Sequence, residues 1–239
     1  MSFGIKLYPP AIAGAFSPRN GGVLTDSDSA PVQTGIGTEW VLLDVWDIAQ
    51  DGPGVTADIA APAVLTTGDL SYADSDPDTI TRASGSWIDD GVRAGSQLVI
   101  VGGTNAGTYT VASATALIAT LVASDTLIAG GPESVTSVTM QNKSMLVSTA
   151  GKYSCGLGMS CEGSTNTTFD VAVRVNGLEI DDKIGFQRKI GTGGDVGSSA
   201  RQGFIDLEAG DVVQAWIKAD GASKEVTSIY AHLTLQRSS

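Results

Sequence analysis

Apolar and polar residues alternate with period two through "TTFDVAVRVNGLEI" (167–180), which sets Phe169, Val171, Val173 and Val175 on one face and Asp170 and Arg174 on the other. The alternation breaks at Asn176-Gly177, a pair that readily takes the positive φ angles of a two-residue hairpin turn. Similar strands are expected in "QGFIDL", "DVVQAWIKA" and "TSIYAHLTLQ". In "DVVQAWIKA", Val213, Ala215 and Ile217 take the core side and leave Val212, Gln214 and Trp216 outside. In the last strand, Ile229, Ala231, Leu233 and Leu235 take the core, with Tyr230, His232 and Thr234 outside. "KYSCGLGMSCEG" reads as a strand with Tyr153, Cys155, Leu157, Met159 and Cys161 on one face. At least six strands in about 90 residues match the number and spacing of an antiparallel sandwich.

Two further regions carry strand patterns. Residues 72–134 alternate at Leu98 and Ile100 and again at Tyr109 and Val111, between turns at "DDG" and "GGTNAG". They form a small barrel or sandwich of their own. Residues 31–71 hold "TEWVLLDVWDIA" and "APAVLTTGDLSY"; Leu42, Val45, Trp46 and Ala49 also fit helical spacing, but β-branched residues and glycine-rich flanks favour strand. Residues 1–30, with "YPP", "SPRNGG" and "TDSDSAP", show no periodicity and read as an extended arm that needs a surface to lie on.

Composition agrees with β structure: 239 residues contain 30 glycines and 8 prolines, enough to punctuate many short strands. A formal charge of −12, without a basic cluster, argues against nucleic acid as a partner. The absence of a long apolar run argues against a membrane span, and the prolines of "IKLYPPAIAGAF" interrupt what would be a signal segment. Cys155 and Cys161 are separated by six residues of strand at about 3.3 Å each, beyond disulfide reach, and are expected as buried thiols.

Two stretches carry resemblances. "TITRASGSWIDDGVRAG" followed by "NAGTYTV" resembles a small β module that recurs in phage and prophage virion proteins, which implies a structural role. "STAGKYS", the Asn176-Gly177 hairpin, "LEAGDVVQAW" and the final amphipathic strand resemble the TNF/C1q-like jelly roll, especially its phage virion versions. In that family a Gly-Asp corner links two long strands across the sandwich, and Gly210 and Asp211 match it. "RKIGTGGDVGSSARQG" is similar to the glycine-rich loop of the phage versions.

The resemblance implies an all-β jelly-roll sandwich, but about 65 residues intervene where the family's first strands run straight on to the "AGKY" strand. The expected architecture is therefore a sandwich from 31–71 and 135–239 with a small β domain (72–134) inserted in it, preceded by the arm; the alternative is three separate units in a row. The resemblance also implies a homotrimer packed through the outer sheet face, with Val212, Gln214, Trp216, Tyr230, His232 and Thr234 as candidate interface residues. The expected function is a capsid decoration protein, of cement or head-fibre type, made in the host cytoplasm and placed on the outer capsid surface of the virion. Its arm residues Phe3, Ile5, Leu7, Tyr8, Pro9, Pro10 and Phe16 would dock on the major capsid protein. The alternative is a tail-fibre or baseplate component that recognises a host glycan or surface protein.

No catalytic, cofactor or metal constellation emerges. Asp74, Asp76 and Asp78 have the alternate spacing of a calcium loop, but Thr79 stands where glycine is required and Gly85 where the bidentate Glu belongs, so a solvated acidic junction is expected. "GTGGDVG" lacks the Lys-Ser/Thr pair of a phosphate cradle. His232, the single histidine, accompanies no organised nucleophile, and the adjacent Asp89 and Asp90 are not held apart as glycosidase carboxylates are. The chain is not expected to be an enzyme.

Overall fold

Frequent glycines and β-branched residues give short strands and tight turns; the described residues form 21 strands and no helix. The computed structural model describes residues 21–238 apart from 27–30, 47, 59–62, 67–68, 124, 142, 181–183 and 193–194, so the seven candidate arm residues lie outside the described residues.

Five strands come first: β1 (Gly21–Thr25), β2 (Val32–Ile36), β3 (Val41–Leu42), β4 (Ile48–Gln50) and β5 (Val55–Asp58). A middle group follows: β6 (Ala63–Thr66), β7 (Asp69–Ala73), β8 (Thr79–Arg82), β9 (Gln97–Val101), β10 (Gly107–Ala114), β11 (Ile118–Leu121), β12 (Gly130–Ser134) and β13 (Ser137–Gln141). The last group is β14 (Ser144–Val147), β15 (Gly151–Gly163), β16 (Thr167–Val175), β17 (Leu178–Glu179), β18 (Gly185–Ile190), β19 (Gly197–Leu207), β20 (Val212–Ala219) and β21 (Lys224–Arg237).

The first and last groups interleave into an antiparallel, jelly-roll-like sandwich. One sheet runs β19-β15-β21-β1-β4 with β2 also beside β21; the other runs β17-β16-β20-β14-β5 with β18 beside β16 and β3 beside β20. Tyr153, Cys155, Leu157 and Met159 of β15 and Leu233 and Leu235 of β21 meet Phe169, Val171 and Val173 of β16 and Val213, Ala215 and Ile217 of β20 in one buried core. Full burial of each larger apolar side chain here is worth about 1.5–3 kcal/mol.

The middle group forms its own eight-stranded sheet, in the order β12-β7-β8-β11-β10-β9-β13-β6. β12 and β13 stand first and seventh in that order, yet Val135 and Thr136 alone join them in the chain, so the sheet must curl round. Inside the curl lies a second core that includes Leu70, Ile80, Trp87, Leu98, Val111 and Leu121. Arg82 stacks 4.7 Å from the Trp87 ring and pairs with Asp90, which gives that carboxylate a structural partner.

The unit boundaries differ from those expected. The curled sheet takes strands from 63 to 141 rather than from 72 to 134, because β6 and β13 pair with each other and β13 with β9. Sandwich pairing also begins earlier, at Gly21, where β1 adds to β21 and β4, so residues 21–25 belong to a sheet rather than to an extended arm.

Two turns brace one end of the sandwich. Asn176 and Gly177 have φ of 54° and 76°, the hairpin conformation that the sequence suggests, and Gly210 has φ of 100°. Gly210 leads from β19 in one sheet to β20 in the other. The Asp211 carboxylate accepts the Glu208 N–H (2.8 Å) and the Asn176 side-chain amide (2.8 Å), while Asn176 Oδ1 accepts the Val212 N–H (2.9 Å). Hairpin and corner are therefore one hydrogen-bonded unit.

Candidate self-association face

The six candidate interface residues do not share a flank. Val212, Gln214 and Trp216 lie on β20 in one sheet, and Tyr230, His232 and Thr234 on β21 in the other. Period-two alternation separates inside from outside but does not say which sheet a strand joins.

The β20 set is also covered from within the chain, with 0–2 % of each side chain exposed. Gln214 donates its amide to the Gly95 carbonyl of the curled domain (2.8 Å) and accepts the Trp216 indole N–H (3.3 Å). Gly95 sits so close that a Cβ there would come within 2.9 Å of Gln214 Oε1 and 3.4 Å of Val212. Arg174, one row away on β16, places its guanidinium 5.2 Å from the Trp216 ring and 4.9 Å from that of Trp40. The large outward tryptophan is thus an intrachain packing residue, and the sequence expectation of an open β20 face is corrected.

The β21 half stays open. Ile229, expected in the core, is 39 % exposed and Tyr230 51 %, because a bulge breaks the β15 register: Ser160 faces Tyr230, whereas Cys161 faces Ser228. Asp26, buried just beyond β1, fixes that bulge. Its carboxylate accepts the Ala231 N–H (2.8 Å) and the Ser228 hydroxyl, and its own N–H reaches the Ala231 carbonyl.

Glycine levels the surface beside the bulge. His232 and Thr234 pair across β15 with Gly158 and Gly156, and a Cβ on those glycines would come within 2.3 Å of the His232 ring and 2.7 Å of Thr234 Oγ1. The imidazole lies half-buried across β15 with its centroid 5.7 Å from the Tyr230 ring. Burial holds its pKa below the ordinary value, so it is neutral at pH 7.

On β19 the same face presents Phe204, 57 % exposed, with Gln202, Ala200 and Ser198. From the Gln236-Ser154-Phe204 row to the Tyr230-Ser160-Ser198 row, no outward side chain on β21, β15 or β19 carries a charge, and Arg201 falls on the opposite parity. The next row holds the exposed Lys152–Asp206 ion pair (2.9 Å). Phe204 could have been found in the sequence, since it stands out of phase with Ile205 and Leu207. The paired glycines of "CGLGMS" could not, because a glycine gives no sign of which side it levels.

The remaining candidates have structural roles. Both Asp78 oxygens accept main-chain N–H groups, from Ser75 (2.8 Å) and Leu127 (2.6 Å), so this residue is a buried loop strut rather than part of a solvated junction. Asp74 and Asp76 are exposed. Cys155 and Cys161 are buried free thiols, and burial pushes the Cys155 pKa up to about 12. Among the described residues no group of three His, Cys, Asp or Glu side chains is arranged to hold a metal ion.

No family model and no curated protein matches the chain. Among solved structures it is similar to Eiger TNF from S. frugiperda, at TM-score 0.31 and 11 % identity over 41 % of this chain and 65 % of that one. It is also similar to Arthrobacter globiformis T6 isomalto-dextranase complexed with panose, at TM-score 0.26 and 13 % identity over 90 % of this chain and 35 % of that one. The chain thus spans less than two thirds of either.

Proposed function

We propose that this protein is a virion structural component of the capsid-decoration type, a homotrimer joined through the outer face of the β19-β15-β21-β1-β4 sheet. The observation that carries the reading is the face itself: Phe204, Ile229 and Tyr230 stand exposed on an uncharged surface levelled by glycine, in a chain of net charge −12. Copies of so acidic a chain repel, and two like charges 4 Å apart cost about 1 kcal/mol in water and about 4 where water is partly excluded. A contact free of charge avoids that cost, and exposed aromatic side chains gain by being covered. The virion assignment rests on the sequence resemblance of both β units. The arm, through residues 1–20, would dock on the major capsid protein, and three arms per trimer would multiply weak contacts by avidity.

Native mass measurement tests the assembly. A trimer that Tyr230→Lys or Phe204→Lys converts to monomer is expected; a wild-type monomer at working concentration refutes the reading. Mixing purified protein with undecorated shells and, separately, with host cells tests the location. Adsorption to cells with no shell binding would replace decoration by receptor recognition. Arm deletion should stop at residue 20, since β1 is part of the sandwich; it should abolish shell binding and leave the trimer.

A further inference from the structure

The outer face of the opposite sheet holds a groove of about 360 Å³, a size at which small-ligand sites begin. Register builds it. Gln187, Asp170 and Lys218 stand in one row across β18, β16 and β20, and Gly185, Ala172 and Trp216 form the next. A Cβ on Gly185 would lie 2.6 Å from the Val171 carbonyl oxygen and 3.0 Å from Ala172, so β18 approaches closely and the floor beside Ala172 stays low. Trp40 forms one wall, anchored by Arg174, and Ile180 and Phe186 also line the groove.

The polar row is already ordered. Gln187 Nε2 donates to Asp170 Oδ1 (2.9 Å), and Lys218 Nζ lies 4.0 Å from Asp170 Oδ2 and 4.8 Å from the Trp40 ring.

The geometry points to a site for a neutral saccharide. The row offers an acceptor in Asp170 and donors in Gln187 and Lys218, and neighbouring sugar hydroxyls, which both donate and accept, match such a mixture. Its formal charges cancel. A phosphate or carboxylate ligand would face Asp170, and an organic cation would face Lys218, so both are disfavoured. Trp40 supplies apolar surface for the C–H groups of the sugar ring. The site does not depend on self-association: it lies on the sheet opposite the proposed subunit contact, so an assembled particle would still present it outward.

The test uses the full-length protein and the methyl glycosides of glucose, galactose, mannose and N-acetylglucosamine, with methyl sialoside and glucose 6-phosphate as anionic comparators. Saturation-transfer NMR and tryptophan fluorescence read binding. Saturable binding of at least one neutral glycoside is expected, weakened at least tenfold by Asp170→Asn and several-fold by Trp40→Phe, with melting and oligomeric state unchanged. Lys218→Gln serves as the alternative variant should Asp170→Asn fail to fold. No saturable response to any neutral glycoside, equal binding by wild type and variants, or selective binding of the anionic probes would overturn the assignment.

Discussion

The side-chain amide of Gln214 donates 2.8 Å to the main-chain carbonyl of Gly95, 119 residues earlier in the chain. That bond ties the curled domain to the sandwich, and it is fully buried with the rest of Gln214. Gly95 has φ of +83° and no room for a Cβ, so Gly95→Ala combines backbone strain with a clash. Gln214→Ala would leave the Gly95 carbonyl and the Trp216 indole N–H unsatisfied, at about 1–3 kcal/mol each. Both variants should lower thermal stability and speed proteolytic separation of the curled domain from the sandwich. A melting curve and cleavage pattern like those of wild type would show that the contact holds nothing together.

Asn176 has two roles, one conformational and one as a hydrogen-bond partner, and two substitutions separate them. Asn176→Gly keeps a residue tolerant of φ +54° but loses the side-chain bonds to Asp211 and Val212. Asn176→Ala loses the bonds and adds strain. Chemical denaturation should rank wild type above Gly and Gly above Ala, with steps of about 1 kcal/mol each. Equal loss in the two variants would mean that the hydrogen bonds alone matter.

The cysteines report on opening of the core. Burial raises both thiol pKa values, that of Cys155 to about 12, so little reactive thiolate exists at pH 8. Iodoacetamide should leave both unlabelled in the native protein and modify both in denaturant, at a rate that follows global unfolding. Rapid native labelling of either would contradict their packing between the sheets.

His232 links stability to pH in a stated direction. Its folded-state pKa lies below the ordinary 6.5, so the unfolded chain takes up this proton first as pH falls. Its contribution is complete above about pH 7 and declines as pH falls through 6.5 towards the lower folded value. In an assembled trimer, an imidazolium on an uncharged contact would add to the penalty. Relative to His232→Gln, wild type should therefore lose unfolding free energy between pH 7.5 and 5.5. Parallel profiles would remove His232 from the pH response.

The architecture was legible where local chemistry decided it. Inward residues on β15, β16 and β20 followed from alternation, and Asn176-Gly177 and Gly210-Asp211 announced their turns. Ile229 did not follow, because the bulge that turns it outward is held by Asp26, some 200 positions earlier in the chain. Trp216 and Tyr230 looked equivalent because sheet membership depends on which strands pair, and no period in the sequence carries that. The edges of the curled domain are hidden for the same reason: "AVLT" and "SVTMQ" read equally well as sandwich strands. Of the candidate face, Tyr230, His232 and Thr234 follow from their parity, as does Phe204, which stands out of phase with Ile205 and Leu207. The saccharide groove was hidden, since its polar row is drawn from three separate strands.

The curled domain leaves and rejoins the sandwich at adjacent points, for Asp58 at the end of β5 pairs directly with Ser144 at the start of β14. Replacing 59–143 by a tight turn would therefore preserve the strand order of the remainder. Such a shortened molecule would, however, uncover Val212 and Gln214 where Gly95 now lies against them. Any ancestor or engineered relative without the domain must carry a hydrophilic residue in place of Val212 and leave Gln214 to water, or find a second partner for both.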